Sequence, residues 1–181
     1  MNLPNKLTLL RVILIPFFMF FLLVPMPYGR ALAFAVFIVA SLTDWMDGYI
    51  ARKYNLVTKF GQFMDPLADK LLVTAALVVF VEIGKLASWV VVLILAREFI
   101  ISIFRAVAAS EGIVIAASKW GKFKTVSQMI MIVLILLNNY PFSLIHFPAD
   151  QIFVWISVIL TFVSGYDYLN KNRSVLSEGA R

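Results

Sequence analysis

The chain has 181 residues, of which 62% are hydrophobic and only 14% are charged. Its mean hydropathy of +0.92 is typical of an integral membrane protein and excludes an ordinary soluble domain. The net charge of +6 comes from basic residues that flank apolar segments, where anionic lipid headgroups are nearer partners than nucleic acid. Because the chain has no cysteine, we expect any bound metal to be held by oxygen atoms.

Apolar runs recur along the chain at lengths near the roughly 20 residues that a helix needs to cross a bilayer. In chain order, the predicted spans cover residues 7–24, 31–50, 66–81, 86–108, 125–137 and 151–168. Helices are expected because lipid cannot satisfy open backbone groups, and the runs lack the alternation of barrel strands. The sequence therefore predicts an all-α polytopic membrane protein with six transmembrane helices, forming a single domain over residues 1–181.

The basic residues are distributed asymmetrically about these spans. With the N-terminus inside, only Arg30 and Lys85 fall on the outer side, and the loop over residues 138–150 has no Lys or Arg. Cytoplasmic ends of membrane helices retain positive charge. We therefore expect both termini to be cytoplasmic.

Four aspartates interrupt the apolar pattern around the second and third spans. Asp44 and Asp47 are three residues apart, and Asp65 and Asp69 are four apart, so each pair shares one helix face. Four converging carboxylates would repel one another unless a divalent cation compensates them, and Mg²⁺ combines such oxygens with substrate phosphates. The alternative is structural, with Asp65 as a helix cap and the first pair bonded to basic residues that follow it. The sequence favours a metal site at the cytoplasmic side.

Small and basic residues lie beside these aspartates. Gly48, Ala51 and Gly61 leave room for a bulky nucleotide. Arg52 could reach a diphosphate with its planar fork, and Thr58 could contact sugar or phosphate. This composition indicates a site for a nucleotide diphosphate.

The spacing Asp44-x2-Asp47-Gly48-x2-Ala51-Arg52-x8-Gly61-x3-Asp65-x3-Asp69 resembles the signature of the CDP-alcohol phosphotransferases, with every fixed position matched. The resemblance implies a homodimer in the bacterial cytoplasmic membrane, with two Mg²⁺ or Mn²⁺ ions per active site and CDP-diacylglycerol as the donor. It also implies that the four aspartates bind metal and that Asp69 is the general base. The CDP-contacting residues that it implies are Asp44, Asp47, Gly48, Ala51, Arg52 and Gly61.

The acceptor alcohol is predicted from flanking residues. The segments over residues 2–11 and 119–128 resemble those of bacterial family members whose acceptor is glycerol 3-phosphate. An acceptor phosphate needs positive charge, and the candidates are Arg105, Lys119, Arg97, Lys122 and Arg11, to which Lys124 could add. Arg97 and Arg105 interrupt an apolar run, with Glu98 as a potential partner. Lysines that only anchor helix ends at anionic headgroups are the alternative.

Two other functions remain open from the sequence. A relative in the same family could use inositol phosphate or serine as acceptor, and a divalent cation transporter would also carry intramembrane carboxylates. A transporter, however, would continue its polar residues across the bilayer, whereas the outer halves of these spans are almost entirely apolar. Aromatic residues near span ends, including Tyr168, are typical of interfacial anchors.

Overall fold

The computed structural model describes residues 2–54, 59–110, 112–113, 115–116 and 118–172, with the side chains in these ranges other than those of residues 3, 4, 45, 47, 49, 51, 52, 59, 60, 62, 63, 65 and 66. Over this part of the chain the structure is all-helical. The helices are α1 (Leu3–Leu23), α2 (Gly29–Lys53), α3 (Lys59–Glu82), α4 (Ser88–Ser110), α5 (Lys119–Leu136) and α6 (Ala149–Lys171), with a 3₁₀ helix at Phe142–Ile145. Each predicted span thus corresponds to one helix.

Two of the helices begin earlier than the apolar runs indicate. α3 begins at Lys59 rather than at residue 66, so Gly61 and Asp65 belong to the helix and not to the preceding loop. α5 begins at Lys119 rather than at residue 125, because the Ser118 side chain caps it by accepting a hydrogen bond from the Gly121 N–H at 3.1 Å. The charged first turn of each of these helices lies outside the apolar run, so hydropathy alone does not include it in the predicted span.

The chain divides into two compact units, of which the N-terminal unit is Met1–Lys85. Here α1 packs against α2 and α3. Phe18 of α1 meets Phe37 of α2 with ring centroids 5.9 Å apart, and both side chains are buried. Ala33 and Ala40 are buried on the same helix as Phe37 and allow the close approach of its neighbours. This packing sets the position of the C-terminal half of α2, which carries the first aspartate pair.

The C-terminal unit, Leu86–Arg181, contains α4, α5 and α6, and α6 packs against both of the others. Its core is apolar, with Ile94, Met131 and Val158 buried, but a buried hydroxyl pair joins two helices: Ser157 Oγ of α6 lies 3.3 Å from Ser127 Oγ of α5. The loop after α5 is held by Asn139, whose amide donates to the Phe147 carbonyl at 2.7 Å. α6 is thereby fixed at its start and along its length.

Two described helical segments are long and apolar enough to cross a membrane by length and composition. They are Asn5–Leu23, with mean hydropathy 2.1, and Ala149–Lys171, with mean hydropathy 1.6. Charged candidate site residues lie within α2, α3, α4 and α5, which lowers the hydropathy of those four helices. Large apolar side chains such as Val92, Ile103 and Trp155 are nonetheless exposed on the helix surfaces. Exposed apolar surface of this extent is a mark of a membrane or protein interface.

Candidate active site

The four aspartates lie on two helices of the N-terminal unit that contact each other. Asp44 and Asp47 belong to α2, and Asp65 and Asp69 belong to α3. The Asp44 side chain is 42% exposed, and Asp69 is exposed as well. The side chains of Asp47 and Asp65 lie outside the described part of the structure, so the convergence of all four carboxylates stays a prediction.

Asp44 is paired with a basic residue of α1. Arg11 Nη1 lies 2.6 Å from Asp44 Oδ1, and the Arg11 side chain is 0% exposed. The sequence predicts an acceptor phosphate as the ligand of this guanidinium; the structure places it against the Asp44 carboxylate. The pair therefore crosses from one helix to another and connects the buried side of α1 with the partly open end of α2.

The predicted nucleotide-contacting residues are described only in part. Gly48 lies on α2 and is half-buried, whereas Gly61 lies on α3 and is buried. The side chains of Ala51 and Arg52, and the whole of Thr58, lie outside the described residues. The two described glycines thus add no side chain of their own near the aspartates, as a nucleotide site needs.

In the C-terminal unit, one acidic residue, Glu98, pairs with two basic side chains. Glu98 Oε1 accepts a hydrogen bond from Arg97 Nη1 at 3.1 Å, which confirms the expected partnership of these two residues. The same oxygen is bonded by the Lys124 ammonium of α5. The Lys124 side chain is 2% exposed and the Glu98 side chain 25% exposed. Lys124 therefore links α5 to α4, and its ammonium group is buried against Glu98 rather than exposed to solvent.

The Arg97 side chain lies close to two glycines, one on α5 and one on α6. A Cβ atom added to Gly121 of α5 would lie 3.6 Å from Arg97 Nη2, and one added to Gly165 of α6 would lie 3.5 Å from Arg97 Cγ. The Arg97 side chain is only 14% exposed. The absence of side chains at both positions lets the arginine stem pass closely between α5 and α6.

A cavity of about 590 Å³ opens at the end of this unit, at the start of α5. Its polar lining is Ser118, Lys119, Tyr168, Lys171 and Asn172. Tyr168 is 2% exposed, so it is a buried residue and not the interfacial anchor that its place in the sequence indicated. Among the described residues its hydroxyl has no hydrogen-bond partner. The cavity lining therefore includes two lysines and a buried phenol.

The positive charges of Arg97 and Arg105 interact with the Tyr168 hydroxyl group. Arg105, Lys119 and Lys122 are exposed, in contrast to Lys124. Four of the five predicted phosphate ligands thus lie in the C-terminal unit, and three of them, Arg97, Arg105 and Lys119, gather near Tyr168. The sequence predicts Glu98 as a partner of Arg97, Lys124 as added positive charge and Tyr168 as an interfacial anchor; the burial of Lys124 on Glu98 and of Tyr168 appears only in the packing of the helices.

Among the side chains that the structure describes, no three His, Asp or Glu residues group closely enough to hold a metal ion. Two of the four aspartate side chains are outside that description. The donor chemistry of the cluster fits a hard divalent cation, because carboxylate oxygens are the ligands that Mg²⁺ and Mn²⁺ prefer. The partly exposed Asp44 carboxylate, held by Arg11 through one oxygen, has the arrangement of a metal ligand supported from behind.

Aspartates paired on two contacting helices of the N-terminal unit are oxygen donors of the kind that divalent cations and phosphate chemistry require. The family model for CDP-alcohol phosphatidyltransferase matches residues 1–163, and the chain belongs to this family.

Several similar proteins share one name, CDP-diacylglycerol--glycerol-3-phosphate 3-phosphatidyltransferase. The protein of that name from Bacillus subtilis (strain 168) is 48% identical over 97% of each chain. Those from Rickettsia bellii (strain RML369-C) and Escherichia coli (strain K12) are each 39% identical, covering 92% and 97% of this chain and 93% and 97% of the relative. The similarity therefore extends over nearly the whole chain and far beyond the aspartate motif.

Proposed function

We propose that this chain transfers the phosphatidyl group of CDP-diacylglycerol to glycerol 3-phosphate, giving phosphatidylglycerophosphate and CMP. The observation that carries the proposal is the near full-length similarity to proteins named for that reaction, three of which are 39% to 48% identical to this chain. The aspartate pairs on α2 and α3 and the basic residues of α4 and α5 supply the chemistry that it needs.

On the donor side, the proposed ligands of two divalent cations, Mg²⁺ or Mn²⁺, are Asp44, Asp47, Asp65 and Asp69. Such ions, when bound, stabilise the negative charge of the diphosphate. The backbones of Gly48 and Gly61 border the space for the cytidine part, together with Ala51, Arg52 and Thr58. The bidentate fork of Arg52 suits a diphosphate oxygen pair.

In the proposed reaction, the acceptor hydroxyl oxygen forms a bond to the lipid-bearing phosphorus, and the bond from that phosphorus to the CMP oxygen breaks. Asp69 takes the hydroxyl proton. An exposed carboxylate on α3 is accessible to an incoming alcohol, which supports this choice. A carboxylate is a weak base at neutral pH, so proton transfer depends on the electrostatic field around the hydroxyl.

On the acceptor side, we assign the phosphate of glycerol 3-phosphate to Arg105 and Lys119, with Arg97 and Lys122 nearby. Arg105 and Lys119 are exposed, and Lys119 lines the cavity that also contains the Tyr168 hydroxyl. Charge-assisted hydrogen bonds to phosphate are the strong ones. Arg97 shares its guanidinium with Glu98, so it contributes less charge than Arg105.

The proposal places the enzyme in the bacterial cytoplasmic membrane as one domain with six spans, both termini and the active site at the cytoplasmic side, and as a homodimer. Two helices suited to crossing a bilayer and exposed apolar side chains on α4 and α6 support membrane association. A reporter fused after Arg181 should be active inside the cell. Activity outside would contradict this topology.

Acceptor identity is tested directly with purified protein in mixed micelles containing CDP-diacylglycerol and Mg²⁺. CMP release is expected with glycerol 3-phosphate and not with serine, inositol or inositol phosphate. Release with one of the other alcohols alone would move the assignment within the family. Absence of release with every alcohol, from a folded protein, would contradict phosphatidyl transfer itself.

A further inference from the structure

α1 is an apolar helix with one buried polar face. Asn5, Thr8 and Arg11 recur at intervals of three residues and are 6%, 0% and 0% exposed, respectively. The segment that contains them, Asn5–Leu23, has a mean hydropathy of 2.1 and is one of the two candidate membrane spans. A guanidinium is costly to bury unless it is paired and hydrogen-bonded, so its position within such a helix needs a specific reason.

An ion pair between Arg11 and Asp44 offsets part of this cost. The Arg11 Nη1 atom lies 2.6 Å from Asp44 Oδ1. The two ends of this pair differ, since the arginine is fully buried whereas the aspartate side chain is 42% exposed. Arg11 therefore approaches the carboxylate from within the N-terminal unit, and the Asp44 side chain stays partly exposed. An arginine serving an incoming phosphate would have the opposite exposure.

We propose that Arg11 is a positioning residue for Asp44: it holds one carboxylate oxygen in place so that the other is directed at a divalent cation. Carboxylate ligands of metals are commonly held by a second hydrogen-bonded partner, and loss of that partner costs about 10- to 100-fold in metal affinity. The inference rests on the proposed function, because it takes Asp44 to be a metal ligand. It replaces the role of acceptor-phosphate ligand for Arg11.

The test measures Mn²⁺ binding by electron paramagnetic resonance, with the purified full-length protein in detergent and without substrates. Arg11→Gln is expected to weaken Mn²⁺ binding about 10- to 100-fold. Arg11→Lys keeps the charge but loses the planar fork, so a smaller loss is expected. The matched control is Arg30→Gln, at the opposite end of α2, which should bind Mn²⁺ as the wild type does.

A double-variant comparison separates positioning from a general effect on the fold. If Arg11 acts through Asp44, adding Arg11→Gln to Asp44→Asn should weaken Mn²⁺ binding no further than Asp44→Asn alone. An equal loss in both backgrounds would overturn the inference, as would unchanged affinity in Arg11→Gln. Should Arg11→Gln not fold, Arg11→Lys decides the matter: weakened Mn²⁺ binding supports the inference and wild-type binding refutes it.

The same measurement distinguishes failure of this inference from failure of the proposed function. Asp47→Asn and Asp65→Asn alter predicted ligands that do not depend on Arg11. If both variants bind Mn²⁺ as the wild type does, the metal site and the proposed function are wrong. If both lose Mn²⁺ while Arg11→Gln keeps it, only the positioning role is wrong.

Discussion

Both units of the molecule bury a basic side chain, and they use it with opposite results. In the N-terminal unit, Arg11 holds Asp44, whose carboxylate remains 42% exposed. In the C-terminal unit, Lys124 is bonded to Glu98, which in turn holds Arg97. The first arrangement presents a positioned negative charge and the second a positioned positive charge. In the proposed function, a cation and a phosphate are the respective ligands of these two arrangements.

Among these changes, removal of the proposed base in the N-terminal unit should lower activity most, because the base takes part in the reaction itself rather than in positioning a ligand. Asp69→Asn should lower kcat for CMP release about 10²- to 10⁴-fold, the usual contribution of a general base. The isosteric control is Asp150→Asn in the first turn of α6, where turnover should be unchanged. Full turnover in Asp69→Asn with metal bound would remove the base assignment.

Substitution of the exposed basic residues of the C-terminal unit should have an intermediate effect on activity. Arg105→Ala and Lys119→Ala should each raise the KM for glycerol 3-phosphate by roughly 10-fold or more, the value of a hydrogen bond to a charged group. The KM for CDP-diacylglycerol should not change, since neither residue serves the donor. Lys85→Ala, on the predicted outer side, is the control. Normal acceptor KM values in both variants would contradict the assigned phosphate site.

The smallest expected effect is on stability, and it compares a buried lysine with an exposed one. Lys124→Met leaves Glu98 without its buried partner and should lower the free energy of unfolding by about 1 to 3 kcal/mol. Lys171, whose side chain is 63% exposed, pairs with Asp167 one turn earlier at 2.7 Å, and Lys171→Met should cost only about 0.3 to 0.5 kcal/mol. Unfolding in detergent, followed by circular dichroism, compares the two. Equal losses would mean that the Glu98 pair is no more than a surface contact.

The helices were predictable because long apolar runs bounded by charge are a strong local signal. The starts of α3 and α5 were not, since their first turns carry Lys59 and Lys119, and polar turns read as loop. The aspartates and most basic candidates were also identifiable, from helical spacing and from the family signature. These features depend only on residues close together in the sequence.

The pairings between helices could not be predicted in the same way. Arg11 was identified as a functional arginine, but its partner Asp44 belongs to another helix, so only packing reveals the contact. Lys124 was likewise expected to add to the exposed positive charge, whereas it is buried on Glu98. Tyr168 was read from its place near a span end, which says nothing about burial. Long-range contacts decide whether a charge is available to a ligand.

The two glycines beside Arg97 restrict how this protein can vary. At Gly121 and Gly165 a methyl group would just touch the arginine, at 3.6 and 3.5 Å, so alanine fits at both positions. A longer side chain that pointed toward Arg97 would have to displace it. Both positions therefore favour small residues, although neither glycine touches a substrate in the proposed reaction.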